Sequence, residues 1–140
     1  MAPQSPGSAS DPIFSLAHLT LINATPAELV YIAARSGYDA VSPRFITMNV
    51  PGEFNHSPLD KAQVQATKTA LATTGLEVLD IELARITDDC DPRSFEAALE
   101  LGGEVGAKHM IMSAWTRAGT TETSCSTSMP RPATSQRPMG

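Results

Sequence analysis

The sequence predicts an α/β fold made of parallel strand–helix repeats, with four strands and three helices. Three observations support this prediction. A short apolar segment, a capped helix and a glycine recur in the same order three times, the helices carry an apolar stripe at helical spacing, and the segments that follow the glycines are short and β-prone. Because strands joined by helical crossovers must be parallel, the repeats predict one parallel sheet with right-handed connections.

Each predicted helix begins where an N-cap oxygen is followed by proline at the first helical position. The three starts are Thr25-Pro26-Ala27-Glu28, Ser57-Pro58-Leu59-Asp60 and Asp91-Pro92-Arg93-Ser94. The first two also place a carboxylate at the third helical position, near the positive end of the helix dipole. The second helix is predicted over residues 59–74, with a small apolar stripe through Ala62, Ala66 and Ala70.

The helices are predicted to end at glycines, which adopt the left-handed backbone conformation that commonly follows a helix. These glycines are Gly37, Gly75 and Gly106. The predicted strands cover residues 13–19, 39–43, 77–83 and 109–113. This order fits either half of a (β/α)8 TIM barrel or a small doubly wound sheet. No GxGxxG or P-loop follows the first strand, which favours the half barrel.

The chain is predicted to divide into a disordered leader (residues 1–11), a folded body (12–116) and a low-complexity tail (117–140). Of the tail's 24 residues, 14 are Ser, Thr, Pro or Gly, and none is Leu, Ile, Val, Phe, Tyr or Trp. Because the helix and strand periodicity stops directly after a predicted strand, we hypothesise that the tail is out-of-frame sequence that truncates a longer barrel.

Charge and targeting signals exclude several functional classes. The tail contributes +2 to the total net charge of -5, so the rest of the chain carries -7 and has no basic run that would attract nucleic acid. No apolar segment approaches the roughly 18 residues that span a bilayer, and the N-terminus has no signal-peptide pattern. Cys90 and Cys125 are not spaced as metal ligands or as a redox-active pair. We therefore expect a cytoplasmic protein with reduced thiols.

Four residues are predicted to form a binding site, because functional side chains of parallel α/β units lie at the carboxyl ends of strands. Glu82 lies on the third predicted strand, Arg44 ends the second, His18 lies near the end of the first, and Trp115 follows the fourth. Together they suit a polar, oxygen-rich small molecule. No catalytic residue and no metal ligand is assigned.

Each of these residues also has a purely structural interpretation. Glu82 could form a salt bridge to Arg44 or Arg85, and Arg44 could anchor a loop. A strand histidine such as His18 is often only hydrogen-bonded packing, and Trp115 could pack against its neighbours. The sequence leaves both interpretations open.

Residues 14–115 resemble the N-terminal half of the sugar phosphate isomerase/epimerase family, the xylose-isomerase-like TIM barrels. The matching stretches are FSLAHLT at residues 14–20, AARSGYDAV at 33–41 and GLEVLDIE at 75–82. The resemblance implies keto–aldo or epimer interconversion of sugars, by proton transfer through an enediolate stabilised by a divalent Mn, Mg, Co or Zn ion. It also places Glu82 at a family position that contacts substrate, with His18 and Arg44 near similar positions.

In such relatives the metal is held by Glu, Asp, His and Glu from later strands, which this chain does not contain. We therefore expect a sugar isomerase or epimerase domain that is truncated, inactive alone and does not bind the metal. A non-catalytic fragment or small interaction module is the alternative. An endonuclease-IV-like DNA repair relative is a third interpretation, which the acidic body disfavours.

The expected partner is a sugar or sugar phosphate, without nucleic acid or membrane. The first and fourth strands of a half barrel would leave unpaired edges, so we also expect self-association through those edges.

Overall fold

The computed structural model describes residues 11–115 and shows a mixed α/β fold with three α-helices and short parallel strands. A 3₁₀ turn follows the first strand and another precedes the last helix. The predicted tail, Cys125 and all of the predicted leader except Asp11 lie outside the described residues. The elements in chain order are β1 (Ser15–Ala17), α1 (Pro26–Ser36), β2 (Ala40–Ser42), α2 (Lys61–Thr74), β3 (Glu77–Val78), β4 (Asp80–Thr87), α3 (Glu96–Glu104) and β5 (His109–Trp115).

All strand pairs are parallel, as predicted, but the strands form two sheets, β1-β2-β3 and β4-β5, instead of the one predicted sheet. β1 pairs with β2, β2 with β3, and β4 with β5. The segment that follows β2 also bonds to β4, because the Glu82 amide donates to the Pro43 carbonyl at 2.9 Å. The predicted third strand is therefore broken at Leu79 into β3 and β4, and it continues beyond residue 83, its predicted end. The prediction of four unbroken strands was wrong at this point.

Helix α1 begins as predicted, with a reciprocal pair of capping hydrogen bonds. The Thr25 hydroxyl accepts from the Glu28 amide at 3.1 Å, and the Glu28 carboxylate accepts from the Thr25 amide at 2.7 Å. Pro26 occupies the first turn, and Gly37, with φ 80°, ends the helix. Every signal in this segment acts within one helical turn, so the local sequence determines both ends.

The second predicted helix start was wrong by a few residues, whereas the third, at Asp91 and Pro92, is confirmed as the start of a 3₁₀ turn that leads into α3. Helix α2 begins at Lys61, because the Asp60 carboxylate caps it by accepting from the amides of Ala62 and Gln63. The Ser57 hydroxyl accepts one backbone amide hydrogen bond, from Leu59, whereas the Asp60 carboxylate accepts two. Asp91 caps the 3₁₀ turn Pro92–Phe95, and α3 starts after that turn, at Glu96.

Strands and helices share one hydrophobic core. Helix α2 contributes Ala70 to it, whereas Ala62 and Ala66 of the predicted stripe are exposed. The buried side of α2 instead follows Val64, Thr67 and Leu71, because these larger side chains remove more area from water than alanines do. The buried cluster comprises Leu16, Leu29, Val30, Ala33, Val41, Phe45, Ala70, Val78, Ile81, Ala98 and Leu101.

Among residues 11–115, no helix has both the length and the apolar character needed to cross a bilayer.

Two adjacent glycines in α3 have different surroundings. A Cβ on Gly102 would lie 2.8 Å from Cδ1 of Ile81 in the core, whereas a Cβ on Gly103 would meet nothing within 4 Å. Gly102 therefore allows α3 to approach β4 closely, and Gly103 has no such role.

We expect alanine to have different effects at these two positions. Gly103→Ala should raise the free energy of unfolding by about 0.5 kcal/mol, because alanine is the better helix former. Gly102→Ala has the same helical gain, but it crowds Ile81, and overpacking costs about 1–3 kcal/mol. Urea denaturation should therefore find Gly102→Ala the less stable variant by about 1 kcal/mol. Equal stabilities would show that Ile81 moves aside freely.

Candidate functional site

Three of the four predicted site residues meet at one end of the parallel strands. The His18 Nδ1 accepts a hydrogen bond from the Arg44 amide at 2.9 Å, and the Arg44 Nη2 lies 3.7 Å from the Glu82 Oε2. The Glu82 Oε2 also accepts from the Leu19 amide at 3.1 Å. All three side chains are buried. They converge because the carboxyl ends of neighbouring parallel strands lie at the same edge of the sheet.

Trp115 is not part of this group. It ends β5, is 57% exposed, and its indole Nε1 donates to the Ser113 hydroxyl at 2.6 Å. The Arg85 guanidinium carbon lies 4.7 Å from the centre of the Trp115 ring, within the range of a cation–π interaction. Of the two salt-bridge partners predicted for Glu82, the structure shows Arg44, while Arg85 stacks on Trp115.

Sequence reasoning missed Glu53, which forms the closest ion pair of Arg44. The Arg44 Nη1 donates to the Glu53 Oε1 at 3.0 Å, and both side chains are about 1% exposed. The Glu53 carboxylate also accepts from the amides of Met48 and Val50. Burial raises the pKa of Glu53, but the two amides and Arg44 outweigh it, so the net pKa lies below its usual range. Glu53 is therefore a buried carboxylate held in its ionised form.

A tight turn carries Glu53 back to the strand ends. The Glu53 amide donates to the Val50 carbonyl at 3.2 Å, and Gly52 between them has φ 81°. Proline at the second position and a left-handed glycine at the third are typical of a type II turn. The Pro51-Gly52 pair is thus the sequence signal that could have located this turn.

His56 is the second residue that was missed. It is buried, and neither ring nitrogen has a hydrogen-bond partner within the described part of the chain. Its ring centre lies 4.7 Å from that of His18 and 5.3 Å from that of Phe54, in edge-on contacts. Burial, with His18 nearby, lowers the pKa of His56 to about 4. The ring is therefore neutral at pH 7, and no sequence pattern indicates that it is buried.

The hydrogen bonds of His18 determine which of its nitrogens carries the proton. Because Nδ1 accepts from the Arg44 amide, Nε2 carries the hydrogen, and it donates to the Ala24 carbonyl at 2.9 Å. Burial lowers the pKa of His18, and the positive charge of Arg44 acts in the same direction. Both ring nitrogens are thus bonded to backbone groups, which matches the packing interpretation of this residue.

We call His18, Arg44, Glu53, His56 and Glu82 the Arg44 cluster. It has one guanidinium and two carboxylates, so it carries a net negative charge when both are ionised. Burial raises the pKa of Glu82, although the Leu19 amide and Arg44 act against that rise. Arg44 Nε and Nη2 are buried and have no hydrogen-bond partner among the described residues. The cluster thus places donors that make no hydrogen bond beside a carboxylate that retains slight exposure.

The cluster does not fit a divalent metal ion. No group of three or more His, Cys, Asp or Glu side chains within residues 11–115 is arranged to hold one. Glu53 and Glu82 flank a guanidinium, whose positive charge opposes a cation there, and both nitrogens of His18 are already bonded. Hydroxyl groups suit the cluster better, because each can donate to a carboxylate and accept from a guanidinium.

Comparison with models of known protein families gives no match, and no curated protein matches the sequence significantly. The chemistry of the Arg44 cluster is therefore the basis for a functional assignment.

Proposed function

We propose that this chain forms the first half of a xylose-isomerase-like (β/α)8 barrel and binds a polyhydroxylated molecule of the sugar or sugar phosphate class. Two features support the proposal. The strands pair in parallel, β1 with β2, β2 with β3 and β4 with β5, and the segment after β2 bonds to β4. The polar cluster lies at their carboxyl ends, which is where barrels of this kind bind substrates.

The observation that carries the ligand proposal is the side of Arg44 that makes no hydrogen bond. Within residues 11–115 its Nε and Nη2 are buried without hydrogen-bond partners, and Nη2 lies 3.7 Å from the Glu82 carboxylate, within ion-pair range but too far for a hydrogen bond. A buried donor without a partner costs about 1–3 kcal/mol. One hydroxyl of a vicinal diol can accept from Arg44 while the other donates to Glu82. A sugar would thus satisfy both residues at once.

We assign this chain binding and orientation only, and no step of the isomerisation. In the family that the sequence resembles, a divalent metal stabilises the enediolate through which the proton moves. The Arg44 cluster does not fit that ion, so the chain alone is expected to be inactive. Within this proposal Arg44 and Glu82 contact the ligand, and Glu53 positions Arg44.

A non-catalytic interaction module is the second candidate function. It is favoured by His18, whose two nitrogens are fully bonded to backbone, and by Arg44, which ties Glu53 to the strand end. Under this alternative the cluster only holds residues 43–60 in place and has no ligand.

The two candidates are distinguished by calorimetric titration of the full chain with xylitol and with ribulose 5-phosphate. We expect saturable binding of at least one of them, and about tenfold weaker binding by Glu82→Gln, because a hydrogen bond to a charged group is lost. Glu104→Gln is the matched control, since Glu104 lies on the surface of α3. Absence of binding, or equal binding by both variants, would favour the interaction module.

Titration of the same chain with Mn²⁺ tests the conclusion that the Arg44 cluster does not bind a divalent metal ion. We expect no stoichiometric binding, because the guanidinium of Arg44 lies between the two carboxylates. Micromolar binding that Glu82→Gln abolishes would instead make the cluster a metal site.

A further inference from the structure

We propose that two copies of this chain close a single eight-stranded barrel, in which β5 of each copy pairs with β1 of the other. Each copy supplies four strands, because β3 and β4 are successive parts of one predicted strand. The inference rests on the half-barrel proposal for its geometry. It specifies the partner, which is a second copy, and the two strand edges that meet.

Within residues 11–115, no strand pairs with the outer edge of β1. Among residues 11–115, β1 pairs only with β2, and β5 pairs only with β4. The Phe14 carbonyl accepts from the amides of Asp39 and Ala40, so Phe14 bonds toward β2. Successive residues of a parallel strand bond alternately to its two sides. Ala17, three residues later, therefore directs its N–H to the side away from β2.

Apolar side chains are exposed at both edges. On β5, Ile111 is 43% and Met112 is 41% exposed, although adjacent strand residues lie on opposite faces of the sheet. Beside β1, Ile13 is 69% and Phe14 is 62% exposed. Apolar residues on both faces are typical of an interior strand of a covered parallel sheet. Edges of this kind pair readily with another strand.

The remainder of the chain is a poor candidate for covering these edges. Residues 1–10 and 116–140 contain no Leu, Ile, Val, Phe, Tyr or Trp, the residue types that form apolar strands. The β1 edge of a second copy has both the apolar character and the strand direction that β5 requires.

A twofold axis along the barrel gives both copies the same pair of junctions. Rotation about this axis keeps every strand parallel. It places β1 of each copy beside β5 of the other, so the barrel has two identical junctions. The result is a closed barrel without free edges, and twofold dimers are the commonest symmetric assemblies. Both Arg44 clusters would then lie at the same mouth of the barrel.

Sedimentation velocity and native mass spectrometry of the full chain test the proposal. We expect twice the chain mass of 14.8 kDa. The informative variant is Ala17→Pro, which removes one free-edge N–H. Because Ala17 already has φ -76°, within the range of proline, the pairing of β1 with β2 should persist. We expect the dissociation constant of the dimer to rise at least about tenfold in Ala17→Pro. It should not change in the control Ala17→Ser, which keeps the N–H.

A second variant tests the other edge and guards against misfolding of the first. Ile111→Lys places a charge on the exposed apolar side of β5 and should also give monomers, whereas Ile111→Thr keeps a β-branched side chain and should stay dimeric. Far-UV circular dichroism establishes that each variant is folded. A dimer that neither Ala17→Pro nor Ile111→Lys weakens would overturn the proposed pairing.

Two further outcomes separate this inference from the ligand proposal. If the wild type is a monomer that binds xylitol, only the two-copy barrel is overturned. If it is a dimer that binds neither xylitol nor ribulose 5-phosphate, only the ligand proposal is overturned. A monomer that dimerises only when residues 117–140 are removed would show that this segment covers the edge, against the proposal.

Discussion

Replacing Arg44 with methionine is expected to lower the free energy of unfolding by about 3–5 kcal/mol, because it leaves buried carboxylates without their counter-charge. Arg44 is 1% exposed and lies between Glu53, at 3.0 Å, and Glu82, at 3.7 Å. Methionine keeps most of the packing volume and removes only the charge and its donors. Urea denaturation followed by circular dichroism at pH 7 measures the difference.

The surface ion pair between Lys68 and Glu104 is the matched control. Its side chains are 39% and 56% exposed, so Lys68→Met should cost less than about 1 kcal/mol. Adding Glu53→Gln and Glu82→Gln to the Arg44→Met chain should restore part of the lost stability, because it removes the unpaired charges. Equal losses for Arg44→Met and Lys68→Met would mean that the buried cluster contributes no more than a surface pair.

The elements that the sequence predicted best are those with short-range signals. Thr25, Pro26 and Gly37 act within one turn of α1, and both ends of that helix are confirmed. The start of α2 was missed because Ser57 and Asp60 are competing caps three residues apart, and sequence alone does not rank them. The break at Leu79 depends on how β3 and β4 bond to neighbouring segments, which no local pattern encodes.

The candidate site was predictable to a similar extent. His18, Arg44 and Glu82 follow from the rule that strand ends carry function, since parallel strands place those ends side by side. Glu53 and His56 were missed because they enter the cluster only when residues 43–60 fold back over it. The turn at Pro51 and Gly52, together with the charge of Arg44, brings Glu53 there, and these effects act at a distance along the chain.

Acid is expected to destabilise the protein between about pH 6.5 and pH 4, and His56 is expected to account for much of the loss. Its pKa is lowered from 6.5 to about 4 in the folded state, chiefly by burial. Folding therefore favours the neutral ring, so this contribution is complete above pH 6.5 and is lost as the pH falls toward about 4. Each pKa unit corresponds to about 1.4 kcal/mol, and allowing for solvent screening we expect a loss of about 2 kcal/mol.

The neighbouring titratable groups determine the rest of the dependence of stability on pH. His18, whose pKa burial lowers, adds to the loss in acid. Glu82 opposes it, because burial raises its pKa, and its contribution is present at low pH and lost as the pH rises through the folded value.

His56→Phe isolates the contribution of His56 by replacing a titrating ring with an apolar ring of similar size. We expect this variant to lose less stability than the wild type between pH 7 and pH 5 in urea denaturation. It should also be the more stable protein at pH 5, because it lacks two buried ring nitrogens that have no hydrogen-bond partner among residues 11–115. His109→Gln changes an exposed histidine and serves as the control. If His56→Phe and the wild type lose equal stability, the buried ring is not the acid-sensitive group, and the acid loss must come from His18, from Glu53, whose pKa is also lowered, or from groups outside the cluster.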